Sequence, residues 1–272
     1  MTTTLRVGGV PEHFNLPWHL AIESGEAEGI GAAVDWRDYA SGTGAMLADL
    51  AAARLDLAVV LTEGAAFGLA RGLPIEAVSL YTASPLIWGV HVPPASDFVA
   101  IGDLGSARFA ISRPGSGSHL MSLALAIEQG WPADGLVFEV VDDLPGAVEA
   151  FREGRADAFL WEHFTTGPQV EAGVFRRVGD FVPPWPAWVV CASLSCWQRD
   201  RDRIAPLLEL VADGARRLLA AQDRAALIAG RYGLGEPAVE QWLATTEWVP
   251  RPTPPADAIA KARFMLETAG AI

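Results

Sequence analysis

Residues 54–64 read Arg54-Leu55-Asp56-Leu57-Ala58-Val59-Val60-Leu61-Thr62-Glu63-Gly64. Leu57–Leu61 is an unbroken apolar run, which predicts a strand buried on both faces rather than a half-exposed one. Thr62-Glu63-Gly64 then opens a helix over 65–71, and Gly72 stops it. Ahead of the strand come a helix end, a turn and Asp56. Residues 151–159, Phe151-Arg152-Glu153-Gly154-Arg155-Ala156-Asp157-Ala158-Phe159, follow the same plan. A helix must turn at such a point to re-enter a sheet, so the recurrence is read as an architectural solution.

Working outward, strands are expected at 5–10, 34–39, 57–61 and 75–81, with helices at 18–25, 41–54 and 65–71 between them. Short right-handed crossovers make that a parallel sheet flanked by helices. A second group follows between about 88 and 180. Its strands fall at 88–92, 109–111, 136–141 and 158–161, its helices at 120–130 and 145–152. Pro183-Pro184-Trp185-Pro186 breaks the chain. A strand over 188–193 and helices over 204–221, 224–232, 237–245 and 255–269 complete it.

The chain has 272 residues, with 33 acidic against 20 basic side chains and a net charge of −13. That balance argues against a nucleic-acid partner, which needs a basic stripe to displace counterions, and against an anionic membrane surface. No stretch approaches the ~20 apolar residues of a membrane span, so direct membrane insertion is not expected. No basic, apolar leader precedes Leu5. The chain as it stands reads as cytoplasmic, and as extracytoplasmic if a leader has been removed. Cys191 and Cys196 alternate with apolar residues and read as buried thiols. His13, His19, His91, His119 and His163 form no ligand pair, so neither a metal site nor a cofactor is expected.

Ligands of open parallel sheets sit beyond the carboxyl ends of the strands. The expected ligand-binding residues are therefore His13, Phe14, Asn15, Ser41, Gly42, Thr43, Gly44, Thr62, Glu63, Tyr81, Ser84, Arg113, Gly115, Ser116, Gly117, Ser118, His119, Trp161, Glu162 and Trp185. Ser41-Gly42-Thr43-Gly44 and Gly115-Ser116-Gly117-Ser118 each open a helix, where free N–H groups and about half a positive charge favour an anion. The hydroxyls could equally be ordinary caps. Arg113 could grip a carboxylate or face solvent. Phe14, Trp161, Trp185 and Trp88 could stack on a ligand or pack the interior. Glu63 and Glu162 could hold an amine or a ring nitrogen, or be solvated. There is no Walker A lysine and no G-x-S-x-G elbow.

These features together resemble the type 2 periplasmic-binding-protein fold, in its NMT1/THI5-like (taurine, nitrate, thiamine-precursor) branch. The carrying segments are Ala21-Ile22-Glu23-Ser24-Gly25, Ser41–Gly44, Arg54–Ala58, Ala70-Arg71-Gly72-Leu73-Pro74-Ile75, Asp103-Leu104-Gly105 and Arg113–Ser118. The resemblance implies a two-lobed α/β fold, each lobe a mostly parallel sheet flanked by helices, with a helical C-terminal tail. Lobe I would be 1–84 and 187–272, lobe II 85–186, with a ligand cleft between them and hinges near 82–88 and 183–188. It implies a binding protein for an anionic, zwitterionic or heteroaromatic small molecule, with an ABC permease as partner and no catalytic residue. The alternative on the same fold is a cytoplasmic lyase similar to menaquinone-pathway enzymes, with Glu63 or His119 as its base.

Overall fold

The computed structural model describes residues 2–272. Its first elements are β1 (Thr3–Gly9), α1 (Leu16–Glu23), α2 (Glu26–Gly29), β2 (Ala32–Asp38), α3 (Thr43–Ala51), β3 (Leu57–Leu61), α4 (Thr62–Ala70) and β4 (Ile75–Leu80). There follow β5 (Trp88–Val92), β6 (Arg108–Ile111), α5 (Gly117–Gln129), β7 (Val137–Val140), α6 (Leu144–Arg152), β8 (Ala158–Glu162), α7 (Gly167–Glu171) and β9 (Arg176–Phe181). The chain ends in β10 (Trp188–Ser193), α8 (Leu194–Ala220), α9 (Arg224–Tyr232), α10 (Glu236–Thr245) and α11 (Ala256–Thr268).

Contacts group the chain into two units. One joins the segment up to Ser84 with Pro186–Ile259, the other Pro85–Trp185 with Ala260–Ile272. The sequence reading assigned all of 187–272 to the first lobe; this division instead falls inside α11. That helix buries Ala258, Ala262 and Leu266, a stripe at four-residue spacing.

The first unit holds a five-stranded sheet in the order β2-β1-β3-β10-β4. β1 pairs in parallel with β2 and β3, while β10 runs antiparallel to both β3 and β4. All five residues of β3 are buried, as the unbroken apolar run requires. The second unit has the order β7-β6-β8-β5-β9, with β6 parallel to β7 and β8, and β5 antiparallel to β8 and β9. The plans coincide strand for strand. In each sheet the strand running against the rest, β10 or β5, lies next to the third parallel strand.

The recurring turn before the third strand is fastened alike in both units. Arg6 in β1 donates from its backbone N and from Nε to Asp56 Oδ2 (2.9 and 2.8 Å), and from Nη2 to Asp56 Oδ1 and the Ala53 carbonyl (2.9 and 2.8 Å). Arg108 in β6 makes the same four bonds to Asp157 and the Gly154 carbonyl, at 2.9, 2.9, 2.9 and 2.7 Å. Ala53 and Gly154, which present those carbonyls, both have positive φ, 53° and 66°.

The long helix α8 begins ten residues before the expected 204. Ser193 Oγ accepts from Cys196 N at 3.3 Å and caps it, and its first turns are too charged for apolar periodicity to reveal. α8 crosses α1 closely because Gly214 has no side chain: a Cβ there would lie 2.8 Å from the Pro17 carbonyl oxygen. Cys191 and Cys196 are free and buried, and burial pushes both thiols up to about 12.

Candidate functional site

Because β1 to β4 run parallel, the first unit brings His13–Asn15, Ser41–Gly44, Thr62–Glu63 and Tyr81–Ser84 to one edge of its sheet. In the second unit the same geometry gathers Arg113–His119 after β6, Asp142–Asp143 after β7 and Trp161–His163 at the end of β8. These are the edges where ligands of open α/β sheets bind.

In the first unit the loops are tied to one another. Thr43 Oγ1 accepts the Leu61 N–H at 3.0 Å, and a Cβ on Gly64 would lie 2.4 Å from Thr43 Cγ2. Only a glycine lets the starts of α3 and α4 come this close. Gly42 occupies the cap position of α3 at φ 72° and ψ −164°, a conformation open essentially to glycine alone. Gly42 has no side chain with which to cap α3. Thr62 is fully buried and its hydroxyl donates to the Pro186 carbonyl at 2.6 Å. Glu63, equally buried, stands in the first turn of α4, where a carboxylate complements the helix dipole. Ser41 lies at the surface and Gly44 in the first turn of α3.

The helix start in the second unit is built differently. Ser116 caps α5 by accepting from His119 N at 3.4 Å. Ser118 Oγ accepts from Ser112 N at 2.9 Å and lies 3.1 Å from Ser116 Oγ. Gly115 N donates to His119 Nδ1 at 3.1 Å, so that nitrogen is the acceptor and Nε2 carries the proton. Burial lowers the His119 pKa, and its ring meets Phe138 edge-on. The hydroxyls expected to face an anion are thus engaged within their own loop. Gly117 is the first residue of α5, and Arg113 is half-buried at the loop's start.

The aromatic residues resolve chiefly into packing. Phe14 lies 5.0 Å from Trp242 and 5.6 Å from Trp188, and His13 4.1 Å from Trp242. The Phe14 carbonyl accepts from Tyr81 Oη at 2.6 Å and from Trp248 Nε1 at 3.0 Å. His13, Phe14 and Tyr81 therefore build an interior aromatic cluster, and burial lowers His13 to about 4. Asn15 is buried, with Nδ2 donating to the Val10 carbonyl at 2.8 Å. Ser84 Oγ accepts from Glu247 N at 3.0 Å. Trp161 stacks on Phe159 at 5.2 Å, against the apolar core of the second unit, and Trp185 is buried.

Glu162 is buried rather than solvated. Its Oε2 accepts from Thr165 N and Oγ1 at 2.6 and 2.7 Å, fastening the loop after β8. Burial raises its pKa, and the Thr165 bonds offset this only in part. The sequence reading gave no site role to His91, Thr166, Arg177 and Asp180, which join His163 in a polar cluster of the second unit. A histidine inside the apolar strand Trp88–Val92 was the available signal. Among the described residues no group of three or more His, Cys, Asp or Glu could hold a metal ion. None of their helices is long and apolar enough to cross a membrane.

Residues 94–181 match the family model described as Ca3427-like PBP. No curated protein matches the chain. Among solved structures, the Candida albicans CA3427 gene product, described as having the generic periplasmic binding protein fold, superposes with a TM-score of 0.92 at 26% identity; the match covers 99% of this chain and 91% of that one. The alkanesulfonate-binding protein SsuA from Xanthomonas axonopodis pv. citri, bound to MOPS, gives 0.80 at 17% identity over 100% and 95% of the two chains. PhnD1 from Prochlorococcus marinus, in complex with methylphosphonate, gives 0.66 at 10% over 99% of each. With two α/β units of identical strand order and these matches along its whole length, the chain has the type 2 periplasmic-binding-protein fold.

Proposed function

We propose that this protein is a small-molecule binding protein of the NMT1/THI5-like branch that takes an anionic or zwitterionic solute, closes on it by hinge motion and delivers it to an ABC permease. The observation that carries the reading is the start of α3. Its cap position is a glycine in a conformation no other residue adopts cheaply, and that glycine has no side chain of its own to cover the helix's terminal N–H groups. That arrangement presents the positive end of a helix, which favours an oxyanion. The structural neighbours bound to MOPS and to methylphosphonate, a sulfonate and a phosphonate, support the same ligand chemistry. Binding would need no catalytic group. The loops after β6 and β8 would contribute through shape and backbone donors more than through the Ser116 and Ser118 hydroxyls.

Thermal unfolding against a panel of alkanesulfonates, alkylphosphonates, nitrate and small amino acids tests this. A solute at a hundred times its Kd adds about 2.7 kcal/mol, or roughly 5–10 °C for a chain of this size. The variant Gly42→Val should lose that shift by closing the approach to the α3 amides. An unchanged shift in Gly42→Val would place the site elsewhere, and no shift with any oxyanion would remove the ligand class.

A further inference from the structure

We infer that Tyr39 is the positioning residue for the cap of α3, and that it acts through a hydrogen bond to Asp49 on that helix; the inference deepens the binding role proposed for this helix start and rests on it. Tyr39 follows the last residue of β2 and begins the loop that delivers Gly42. Its N–H donates to the Gly9 carbonyl at 2.8 Å, one step beyond the β1–β2 ladder, and its carbonyl accepts from Gly42 N at 2.9 Å. Its hydroxyl donates to Asp49 Oδ2 at 2.5 Å. The ring lies over Gly8 of β1, where a Cβ would stand 3.1 and 3.2 Å from Tyr39 Cε2 and Cδ2. One residue thus reaches from the sheet to the helix and holds the cap between them.

The far end of this attachment is fixed from two sides. Asp49 stands in the last turn of α3. Arg54 donates from Nε and Nη2 to its Oδ1 at 2.9 and 2.5 Å, which leaves Oδ2 to Tyr39. The Asp49 carbonyl accepts from Arg54 N and Leu55 N at 2.8 and 3.2 Å, so the chain leaving the helix is tied to the same residue. The bonds from Tyr39 and Arg54 hold the Asp49 carboxyl below its ordinary value, so it is a charged acceptor, and a hydrogen bond to a charged group is stronger than a neutral one. The near end is a glycine with φ 72° and ψ −164°. A glycine leaves such a conformation freely, so its neighbours must impose it. The Tyr39 carbonyl holds the Gly42 N–H, and the Gly42 carbonyl accepts from Ala45 N and Met46 N at 3.2 and 3.4 Å. The helix carries the constraint from Asp49 back to Gly42, and Thr43 Oγ1 anchors the same helix start to β3.

Amide exchange of the unliganded protein tests the positioning, and affinity for methanesulfonate tests its consequence. The reporters are the Gly42 amide, bonded to the Tyr39 carbonyl, and the Leu61 amide, bonded to Thr43 Oγ1. The Asp56 and Ser193 amides, bonded to the Arg6 and Asp56 carbonyls at the other end of β3, serve as internal references. Tyr39→Phe keeps the ring and should speed exchange at both reporters about tenfold while the references hold. Asp49→Ala should do the same from the other side of the bond, and Tyr39→Phe should add nothing further in an Asp49→Ala background. Tyr39→Phe should also weaken methanesulfonate binding about tenfold. Unchanged reporters in Tyr39→Phe, additive effects of the two substitutions, or an unchanged affinity for methanesulfonate each overturn the inference. A wild type that binds no oxyanion, with reporters that loosen as described, upholds the positioning and contradicts the binding role.

Discussion

The two units solve one problem twice and differ in how much protein surrounds the solution. In each, an arginine on the first parallel strand holds the aspartate and turn that precede the third, through the same four hydrogen bonds. The Asp56 side chain is only 6% exposed and Asp157's is 30%. α8 also lays Arg199 3.7 Å from Asp56, and buries Asp200 between Arg199 and Arg203. Burial alone would raise the Asp56 pKa; the side-chain and backbone bonds from Arg6 outweigh it and hold it below the ordinary value. Identical bonds in unequal burial teach that geometry fixes the turn, while desolvation sets what its loss costs.

The comparison breaks most visibly at the aspartates. Asp56→Ala should cost about 3–5 kcal/mol in denaturant unfolding, because a partly buried guanidinium and the Arg6 N–H lose their acceptor. Asp157→Ala should cost well under half as much. Equal losses would mean that burial by α8 does not matter.

Acid should strain both units next. His13 in the first and His91 in the second are each lowered to about 4 by burial, whereas a free imidazole titrates near 6.5. The unfolded chain therefore binds the extra protons first. Stability is fully present above about pH 6.5 and falls as pH drops towards 4, by up to ~3 kcal/mol for each histidine. Replacing either with Gln should flatten its share of a stability-versus-pH curve; a curve unchanged in both variants contradicts the account.

The helix starts sharpen the contrast. Gly42→Ala, forced into a glycine-only conformation, should cost about 1–3 kcal/mol. Ser116→Ala, which removes an ordinary cap from α5, should cost about 1 kcal/mol. The smallest effects lie in the paired turns. Gly154→Ala should destabilise by about 1 kcal/mol and Ala53→Gly should stabilise by several tenths, since both positions have positive φ. Chemical denaturation of the four variants would show the order.

Much of this was legible in the residues. Leu57–Leu61, Trp88–Val92 and Trp188–Ser193 have the bounds expected of them, because central strands are continuous apolar runs. β9 was not, since Arg176-Arg177-Val178-Gly179-Asp180-Phe181 is a polar edge strand that neither alternates nor stays apolar. The insertion of β5 and β10 against their neighbours is a long-range pairing that no local pattern encodes; the family resemblance implied only mostly parallel sheets and a discontinuous first lobe. The site was legible as a set of loops at strand ends. Which side chains those loops expose was not, because burial of Phe14 and Tyr81 depends on Trp188, Trp242 and Trp248 arriving from far along the chain.

Native mass spectrometry of freshly purified protein tests solute binding most directly. The account predicts one small acidic molecule per chain, displaced by an alkanesulfonate or alkylphosphonate and absent from Gly42→Val. A chain that carries nothing and takes up none of these oxyanions would contradict it.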